Sequence, residues 1–231
     1  MATSGTTSFD LNIDEIIDEG YERCGLTTNS GYDLRSARRS LNLLFAEWGN
    51  RGIHLWKVAL HENALVSGQA EYSVSAGVND VLEAFVSTTA AGANTVNTQD
   101  VALTKMDRSA YSALPNKLAL GQPSQYYVDR ATTPKIYLYQ APDLNTYTTL
   151  KYYVIKRIED AGAYTDDPDV VYRFLPCMVA GLAYYLAMKK APQLVQQNKL
   201  IYEDQIKRAL DEDGQRASTY ITPQSFYPNG I

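Results

Sequence analysis

The 231-residue sequence predicts an α+β fold: a helical bundle formed by the N- and C-terminal helices, with an inserted antiparallel β-sandwich or barrel-like domain. Three observations predict it. Near both ends, apolar residues recur with the helical period of about 3.6 residues. Between residues 54 and 158, short runs of alternating apolar residues are typical of strands. The period changes directly after Gly49 and Gly52, two residues that favour the end of a helix.

These patterns divide the chain into four parts. Residues 10–53 and 165–217 are expected to form the helical bundle as one discontinuous domain, and residues 54–164 the inserted β domain. Residues 1–9 are expected to form an N-terminal arm. Residues 218–231 contain two prolines but keep several large apolar side chains, which predicts a C-terminal tail that docks on another chain or on its own body.

The first helix is predicted to begin after Asn12, which has the spacing of a capping box with Glu15. Its apolar stripe is formed by Ile13, Ile16, Ile17, Tyr21 and Cys24. The opposite face is acidic and is expected to be solvated; it carries Asp14, Asp18, Glu19 and Glu22.

The second helix is predicted to begin at Asp33 as its N-cap. Its apolar stripe is formed by Leu34, Ala37, Leu41, Leu44, Phe45 and Trp48. Three cations, Arg35, Arg38 and Arg39, lie outside this stripe. They are expected to pair with the acidic face of the first helix or with a neighbouring subunit.

The middle of the chain predicts short strands near residues 54–60, 70–74, 81–86, 101–103, 125–128, 135–139 and 148–158. Within 81–86, Leu82, Ala84 and Val86 are expected to share one face, and Val81 and Phe85 the other. Residues 87–99 are small and polar, which predicts a long exposed hairpin loop. Residues 107–114 predict one or two helical turns that end before a proline.

The last third predicts two more helices. Asp167 and Pro168 have the pattern of an N-cap and first helical residue. Residues 172–190 are apolar on nearly all sides, so this helix should be buried, with Pro176 either starting or kinking it. The final helix, about 192–217, is expected to turn these residues inward: Leu194, Val195, Ile201, Tyr202, Ile206, Ala209 and Leu210.

The composition argues against some classes of function and favours others. A net charge of −5 argues against broad nucleic-acid binding, which needs a basic surface. The start of the chain has no signal-peptide pattern, and its longest apolar run is too short to span a bilayer, so we expect no membrane contact and synthesis in a reducing cytoplasm. Cys24 and Cys177 are expected to be buried free thiols. The 18 tyrosines against 5 phenylalanines favour a protein with large interfaces.

Catalytic, cofactor and metal motifs are absent from the sequence, so we expect no enzyme activity, no cofactor and no metal site. His54 and His61 are the only histidines, and their separation places them on opposite faces of a regular strand. Asp166, Asp167 and Asp169 form an acidic cluster, but the segment lacks the other features of a calcium loop. Helix capping explains these three residues more simply.

Five segments together resemble the head-to-tail adaptor (connector) proteins of short-tailed phages, the group that includes tail tubular protein A and the tail accessory factors. They are SLNLLFAEWGNRGIHLWKV (40–58), RSAYSALPNK (108–117), QPSQYYVDR (122–130), YLYQAPD (137–143) and RFLPCMVAGLAYYLAMKKAP (173–192). The resemblance covers most of residues 10–217.

The resemblance implies a structural virion protein. It implies a homo-oligomeric ring of about twelve subunits between the portal protein and the downstream tail (nozzle) protein. DNA would pass through the channel that the ring lines without specific binding, and the protein would reach the tail at the portal vertex after assembly in the host cytoplasm. In such adaptors the C-terminal residues commonly engage the portal, which makes the apolar residues of the tail docking candidates: Tyr220, Ile221, Phe226 and Tyr227.

Two other functions remain open. A carbohydrate- or receptor-binding β module of a virion or cell surface would use tyrosines to stack on sugar rings, and it predicts exposed tyrosines grouped in one groove of the β region. A cell-wall hydrolase is supported only by the abundance of carboxylates, which any chain with 26 acidic residues would show.

Overall fold

A computed structural model describes residues 5–6, 9–28, 30–53, 55–92 and 98–213. The described residues contain five α-helices and ten strands, so the predicted α+β class with antiparallel sheets is confirmed. The helices are α1 (Ile13–Glu22), α2 (Gly31–Asn50), α3 (Arg108–Ala113), α4 (Leu175–Lys190) and α5 (Val195–Asp213). The strands are β1 (Val58–Ala64), β2 (Glu71–Ser73), β3 (Val78–Ser87), β4 (Asp100–Ala102), β5 (Thr104–Met106), β6 (Leu120–Gly121), β7 (Gln125–Asp129), β8 (Lys135–Tyr139), β9 (Ala141–Pro142) and β10 (Thr149–Lys156).

Helices α1, α2, α4 and α5 share one hydrophobic cluster, with α4 packed against each of the other three. The sequence explains this placement, because α4 carries apolar residues on nearly every side and the others are amphipathic. The predicted apolar stripes of α1 and α2 are buried as expected, apart from the half-buried Leu34, and the capping box of Asn12 and Glu15 is present. Pro176 lies in the first turn of α4, where it begins the helix and does not kink it.

The strands form two four-stranded sheets, in the orders β1-β10-β3-β4 and β2-β8-β7-β5, and a small β6-β9 pair. Most neighbouring strands are antiparallel, but β5 pairs with β7, and β6 with β9, in parallel. Residues of both large sheets contribute to a second hydrophobic cluster. As predicted from the alternation in β8, Ile136 and Leu138 face this cluster, while Tyr137 and Tyr139 face the other way.

The β region joins the helices through two adjacent strands. Strand β1 follows α2, strand β10 precedes the segment that leads to α4, and β1 and β10 pair along their full overlap from Val58–Ile155 to Ala64–Thr149. The backbone amides of Ile13 and Asp14 also donate to the carbonyl oxygens of Asp166 and Tyr164. The two connections between the helices and the sheets therefore lie side by side.

The prediction of a strand from His54 onwards was wrong at its start. Residues Leu55–Lys57 form a 3₁₀ turn, and the strand begins at Val58. His54 lies outside the described residues. The turn is stabilised by the Trp56 indole N–H, which donates to the carbonyl oxygen of Asp169, and by an ion pair between Lys57 and Asp169. These partners are distant in sequence, so alternation alone did not reveal them.

The faces assigned within β3 were also wrong. Val81, Ala84 and Val86 are buried together, whereas Leu82 is 41% exposed. Opposite β10, Val154 pairs with Val81 and Tyr153 pairs with Glu83, which leaves Leu82 as an extra residue in the ladder. This bulge reverses the alternation, because one extra residue shifts all following side chains to the opposite face.

Two predicted helix caps are replaced by other residues. Ser30 is the N-cap of α2, and its Oγ accepts from the amide of Asp33. Asp33 is instead buried and paired with Lys190. No helix begins at Asp167 and Pro168; a 3₁₀ turn over Tyr172–Phe174 leads directly into α4.

Two further expectations need correction. In α5, Tyr202, Ile206 and Ala209 point inward as predicted, but Ile201 and Leu210 are 41% and 39% exposed. The reason is that α5 packs mainly on α4, so only a narrow stripe is covered. The hairpin between β3 and β4 is present, yet its loop is not fully exposed, since Ser87 and Thr89 are buried. Residues 93–97 of this loop lie outside the described residues.

Candidate interaction surfaces

The helices are connected to the sheets through polar and aromatic contacts of Trp56, Phe174 and Asp169, which we call the joint. The Trp56 ring lies 4.9 Å from that of Phe174, whose own ring lies 5.7 Å from that of Trp48 in the helical core. On the α2 side, the Asn42 Oδ1 accepts from the amide of Ala161 at 2.7 Å. These contacts fix the direction in which the β region leaves the helices.

The helical core holds a tightly packed hydrogen-bonded pair. The Trp48 indole N–H donates to the Tyr202 hydroxyl at 3.0 Å, and both side chains are almost fully buried. Burial, together with the nearby Glu47 carboxylate, raises the pKa of the Tyr202 hydroxyl, so this group stays neutral. Arg51 caps the pair from the surface, where it bonds Glu47 and Glu203. The arrangement ties α2 to α5.

The three arginines of α2 differ in their surroundings. Arg38 donates to the carbonyl oxygen of Gly162 at 3.0 Å and lies over the ring of Tyr164. Arg35 donates to the carbonyl oxygen of Gly31 in its own helix, and Arg39 is exposed. Among the described residues, none of the three forms an ion pair with the acidic face of α1. Their role between subunits stays a prediction.

Beside Arg35 and Arg39, two large apolar residues are exposed on the same face of α2: Tyr32 is 65% exposed and Leu43 54%. Residues 32, 35, 39 and 43 lie within one side of a helix with about 3.6 residues per turn. We call these four residues the α2 ridge. The arginines of the ridge were recognised from the sequence, but its apolar members were not, although two large apolar side chains opposite a buried stripe can be recognised in a sequence.

A groove of about 580 Å³ runs between α1 and the start of α4. Its apolar side includes Leu11, Leu175, Pro176 and Val179, and Phe9 also lines it. The other side is the exposed face of α1, with Glu15, Asp18, Glu19 and Glu22 as a rim that also includes Arg23. We call this surface the α1–α4 groove. The acidic face of α1 was predicted to be solvated, but its position beside apolar α4 residues could be known only from the fold.

Three half-buried tyrosines stack on the outer face of the β2-β8-β7-β5 sheet. Tyr111 of α3 lies 5.3 Å from Tyr127 and 5.5 Å from Tyr137, measured between ring centroids. Lys117 lies over the Tyr111 ring. The rings therefore cover one another and do not line an open groove. This differs from the open aromatic platform that the carbohydrate-binding hypothesis predicts.

The remaining candidates are structural. Cys24 and Cys177 are buried and free, as predicted, and burial raises the pKa of the Cys177 thiol to about 12. Asp166 accepts from the amide of Ala163, while Asp169 pairs with Lys57 and accepts from the amide of Glu159. The prediction that the aspartates of this cluster cap a helix was therefore wrong; Asp166 and Asp169 stabilise the loop before α4.

The described part of the chain holds no group of three or more His, Cys, Asp or Glu side chains placed to bind a metal ion. Among the same residues, no helix is both long enough and apolar enough to cross a membrane. The proposed docking residues of the tail, Tyr220, Ile221, Phe226 and Tyr227, lie outside the described residues.

The fold brings together packed cores, the joint between the helices and the sheets, the α2 ridge and the α1–α4 groove. These features are typical of a protein that functions by binding other chains. The sequence profile of the SU10 adaptor protein family matches residues 13–225. The chain therefore belongs to the SU10 adaptor protein family, and it is a structural adaptor of a phage. The predicted head-to-tail adaptor class is confirmed. Membership implies a place in the virion tail at the portal. No curated protein matches this chain.

Proposed function

We propose that this adaptor forms a ring that joins the portal to the downstream tail protein and surrounds the path of the DNA. The family match carries the proposal. It begins at the first residue of α1 and extends beyond α5, so it includes every helix and strand of the described residues. Two exposed surfaces of opposite charge on the helices also fit repeated contact between copies.

The helical and β parts are proposed to be two domains of the ring subunit: a discontinuous helical domain, residues 10–53 and 165–217, with the β domain, residues 54–164, inserted into it. The pairing of β1 with β10 supports this division, because it brings both connections to one place. The joint formed by Trp56, Phe174 and Asp169 would then transmit force between the portal side and the tail side.

The net charge of −5 fits a channel that DNA crosses without binding, since an acidic wall repels phosphate. The proposed function requires that the channel does not bind DNA, because binding would slow the passage of the genome. We expect the assembled ring to show no measurable affinity for duplex DNA at physiological salt, in contrast to proteins that neutralise several phosphates.

The tail, residues 218–231, is proposed to dock on the portal through Tyr220, Ile221, Phe226 and Tyr227. The experiment compares three full-length forms: the natural chain, a chain that lacks residues 218–231, and a chain in which these residues are replaced by an equally long Gly/Ser segment. Both altered chains should remain folded and lose retention on the portal by at least tenfold. Unchanged retention of either would overturn the role of the tail.

A further inference from the structure

The α2 ridge combines two cations with two exposed apolar side chains. Tyr32 and Leu43 flank Arg35 and Arg39, and within the described residues neither arginine is paired with a carboxylate. Apolar residues that are exposed beside unpaired cations on a helix favour contact with a surface that is both apolar and acidic.

The positive charge of the α2 ridge is not neutralised by the neighbouring α4 residue Lys189. Lys189 of α4 donates its Nζ hydrogens to the Ser36 carbonyl oxygen and to the hydroxyls of Ser36 and Ser40, which are neutral acceptors. Burial, and secondly repulsion by Arg39, lower the pKa of Lys189. The field around Arg39 is therefore positive, and an acidic partner would relieve it.

The α1–α4 groove has the complementary character. Pro176 is exposed on its apolar side, above the buried Leu175 and Val179. Four carboxylates line the other side, Glu15, Asp18, Glu19 and Glu22, and one of them, Glu19, pairs with Arg23. A helix presenting large apolar side chains next to arginines would place the former on the α4 wall and the latter at the carboxylates. The volume of about 580 Å³ accommodates several such side chains.

We propose that the α2 ridge of one copy docks in the α1–α4 groove of the next copy. The inference deepens the proposed function and rests on the ring assembly. Because the two surfaces are different patches of the same chain, the contact is heterologous, and its repetition generates a ring when the rotation closes.

A second copy fits the groove better than the chain's own tail does. Residues 218–231 are rich in aromatic residues but contain no Lys or Arg, so they offer nothing to the acidic rim. The α2 ridge supplies both the apolar and the cationic groups. Like charges placed opposite each other disfavour wrong partners, which would also fix the direction of assembly around the ring.

Charge reversal on each side tests the contact. Arg35→Glu with Arg39→Glu should lower ring assembly on the portal at least tenfold, and Glu19→Lys with Glu22→Lys should do the same. A chain that carries all four substitutions should regain assembly to within about threefold of the natural chain, because the opposite charges face each other again. Lys199→Glu with Lys207→Glu, on the exposed side of α5, is the matched control and should assemble normally.

Cross-linking tests the geometry independently. In a full-length chain with Leu43→Cys and Pro176→Cys, where Pro176 is exposed in the groove, mild oxidation of assembled particles should give a ladder of covalent multimers, and each single variant should give none. The natural thiols, Cys24 and Cys177, are buried and do not interfere.

The outcomes separate the inference from the proposed function. If the chain is present at the portal but no ladder forms and charge reversal changes nothing, the docking contact is wrong and the adaptor ring stands. If the ladder forms in the isolated protein while virions lack the chain at the portal, the docking contact stands and the proposed function fails. If the thiol of Pro176→Cys is protected from labelling in the monomer, and the protection disappears when residues 218–231 are removed, the tail is the occupant and the inference is overturned.

Discussion

The helical region and the β region differ in how their surface aromatic and charged groups are covered. On the outer face of the β2-β8-β7-β5 sheet, the aromatic groups cover one another, as in the stack of Tyr111, Tyr127 and Tyr137. On the helices, Tyr32 and Leu43 are exposed beside unpaired arginines, and the acidic face of α1 borders an apolar groove. That sheet face is covered by its own rings, although the β region exposes Leu118 and Leu120 elsewhere, at 69% and 63%. Only the helical faces combine exposed apolar groups with charges of opposite sign on two surfaces, and we therefore propose that the contacts between copies lie on the helices.

The helical core is tightly packed around α4. Helix α4 is in contact with three helices at once, and a Cβ added at Gly181 would lie 2.8 Å from a side-chain atom of Leu44 and 2.9 Å from one of Tyr202. Buried tyrosine hydroxyls bond backbone carbonyl oxygens in both cores, as Tyr21 does with Asp33 and Tyr126 with Leu82. We therefore expect changes in volume around α4 to have larger effects than the loss of one such hydrogen bond.

The largest effect is expected from Trp48→Ala. It removes a fully buried aromatic ring and leaves the Tyr202 hydroxyl without its donor, so the free energy of unfolding should fall by about 3–5 kcal/mol. Trp56→Ala is the matched control at the half-buried joint and should cost less. Urea unfolding of both variants measures the difference; a larger loss for Trp56→Ala would contradict the ranking.

Gly181→Val should be the next most severe change. A Cβ at this position would lie 2.8 Å from Leu44 Cδ1 and 2.9 Å from Tyr202 Cε2, both in buried side chains, so overpacking should cost about 1–3 kcal/mol. The same substitution at Gly49, where nothing lies within 4 Å of an added Cβ, should change stability by less than about 0.5 kcal/mol. Equal losses at the two glycines would show that α4 is not tightly enclosed.

Tyr126→Phe probes the β core. The Tyr126 hydroxyl donates to the carbonyl oxygen of the bulged residue Leu82 at 3.0 Å, so its removal should lower the free energy of unfolding by about 0.5–1.5 kcal/mol. Tyr153→Phe, at a residue that is 38% exposed, serves as the control and should have little effect. A Tyr126→Phe protein as stable as the control would mean that the bulge does not depend on this bond.

The smallest effect is expected from the pH dependence of His61. Burial, and secondly repulsion by Lys156, lower the pKa of His61 below its usual 6.5. The folded state therefore binds this proton less readily than the unfolded state. The contribution of His61 to the free energy of unfolding is fully present above pH 6.5, where the imidazole is neutral in both states. It is lost as the pH falls through the lower pKa of the folded state, because the unfolded state binds the proton more readily. Thermal melts from about pH 7.5 to 5 should show a smaller decrease in Tm for His61→Gln than for the natural chain; parallel curves would exclude this role.

Local patterns predicted much of the fold because they reflect local physics. The capping box of α1 and the buried stripes of α1 and α2 depend on spacing within one helix, and they are present as expected. The predictions were wrong where residues distant in the sequence determine the local structure. Asp33 has the chemistry of an N-cap, but Lys190 of α4 pairs with it and Ser30 caps the helix. The bulge at Leu82 changes the face of β3 through pairing with β10, which alternation in one strand does not encode.

The candidate surfaces were predicted in part. The arginines of α2 and the carboxylates of α1 were identified from the sequence, because charges outside an apolar stripe are easily recognised. The apolar wall of the groove was not, since Leu175, Pro176 and Val179 belong to a helix that appeared buried on all sides. Their position beside α1 follows from the packing of two segments more than 150 residues apart.

Electron cryo-microscopy of the full chain assembled with its portal tests the central claim most directly. We expect a closed ring of copies on the portal axis, with helices of neighbouring copies in contact and an open channel along the axis. A portal without added density, or copies scattered on its outer surface without a ring, would contradict it.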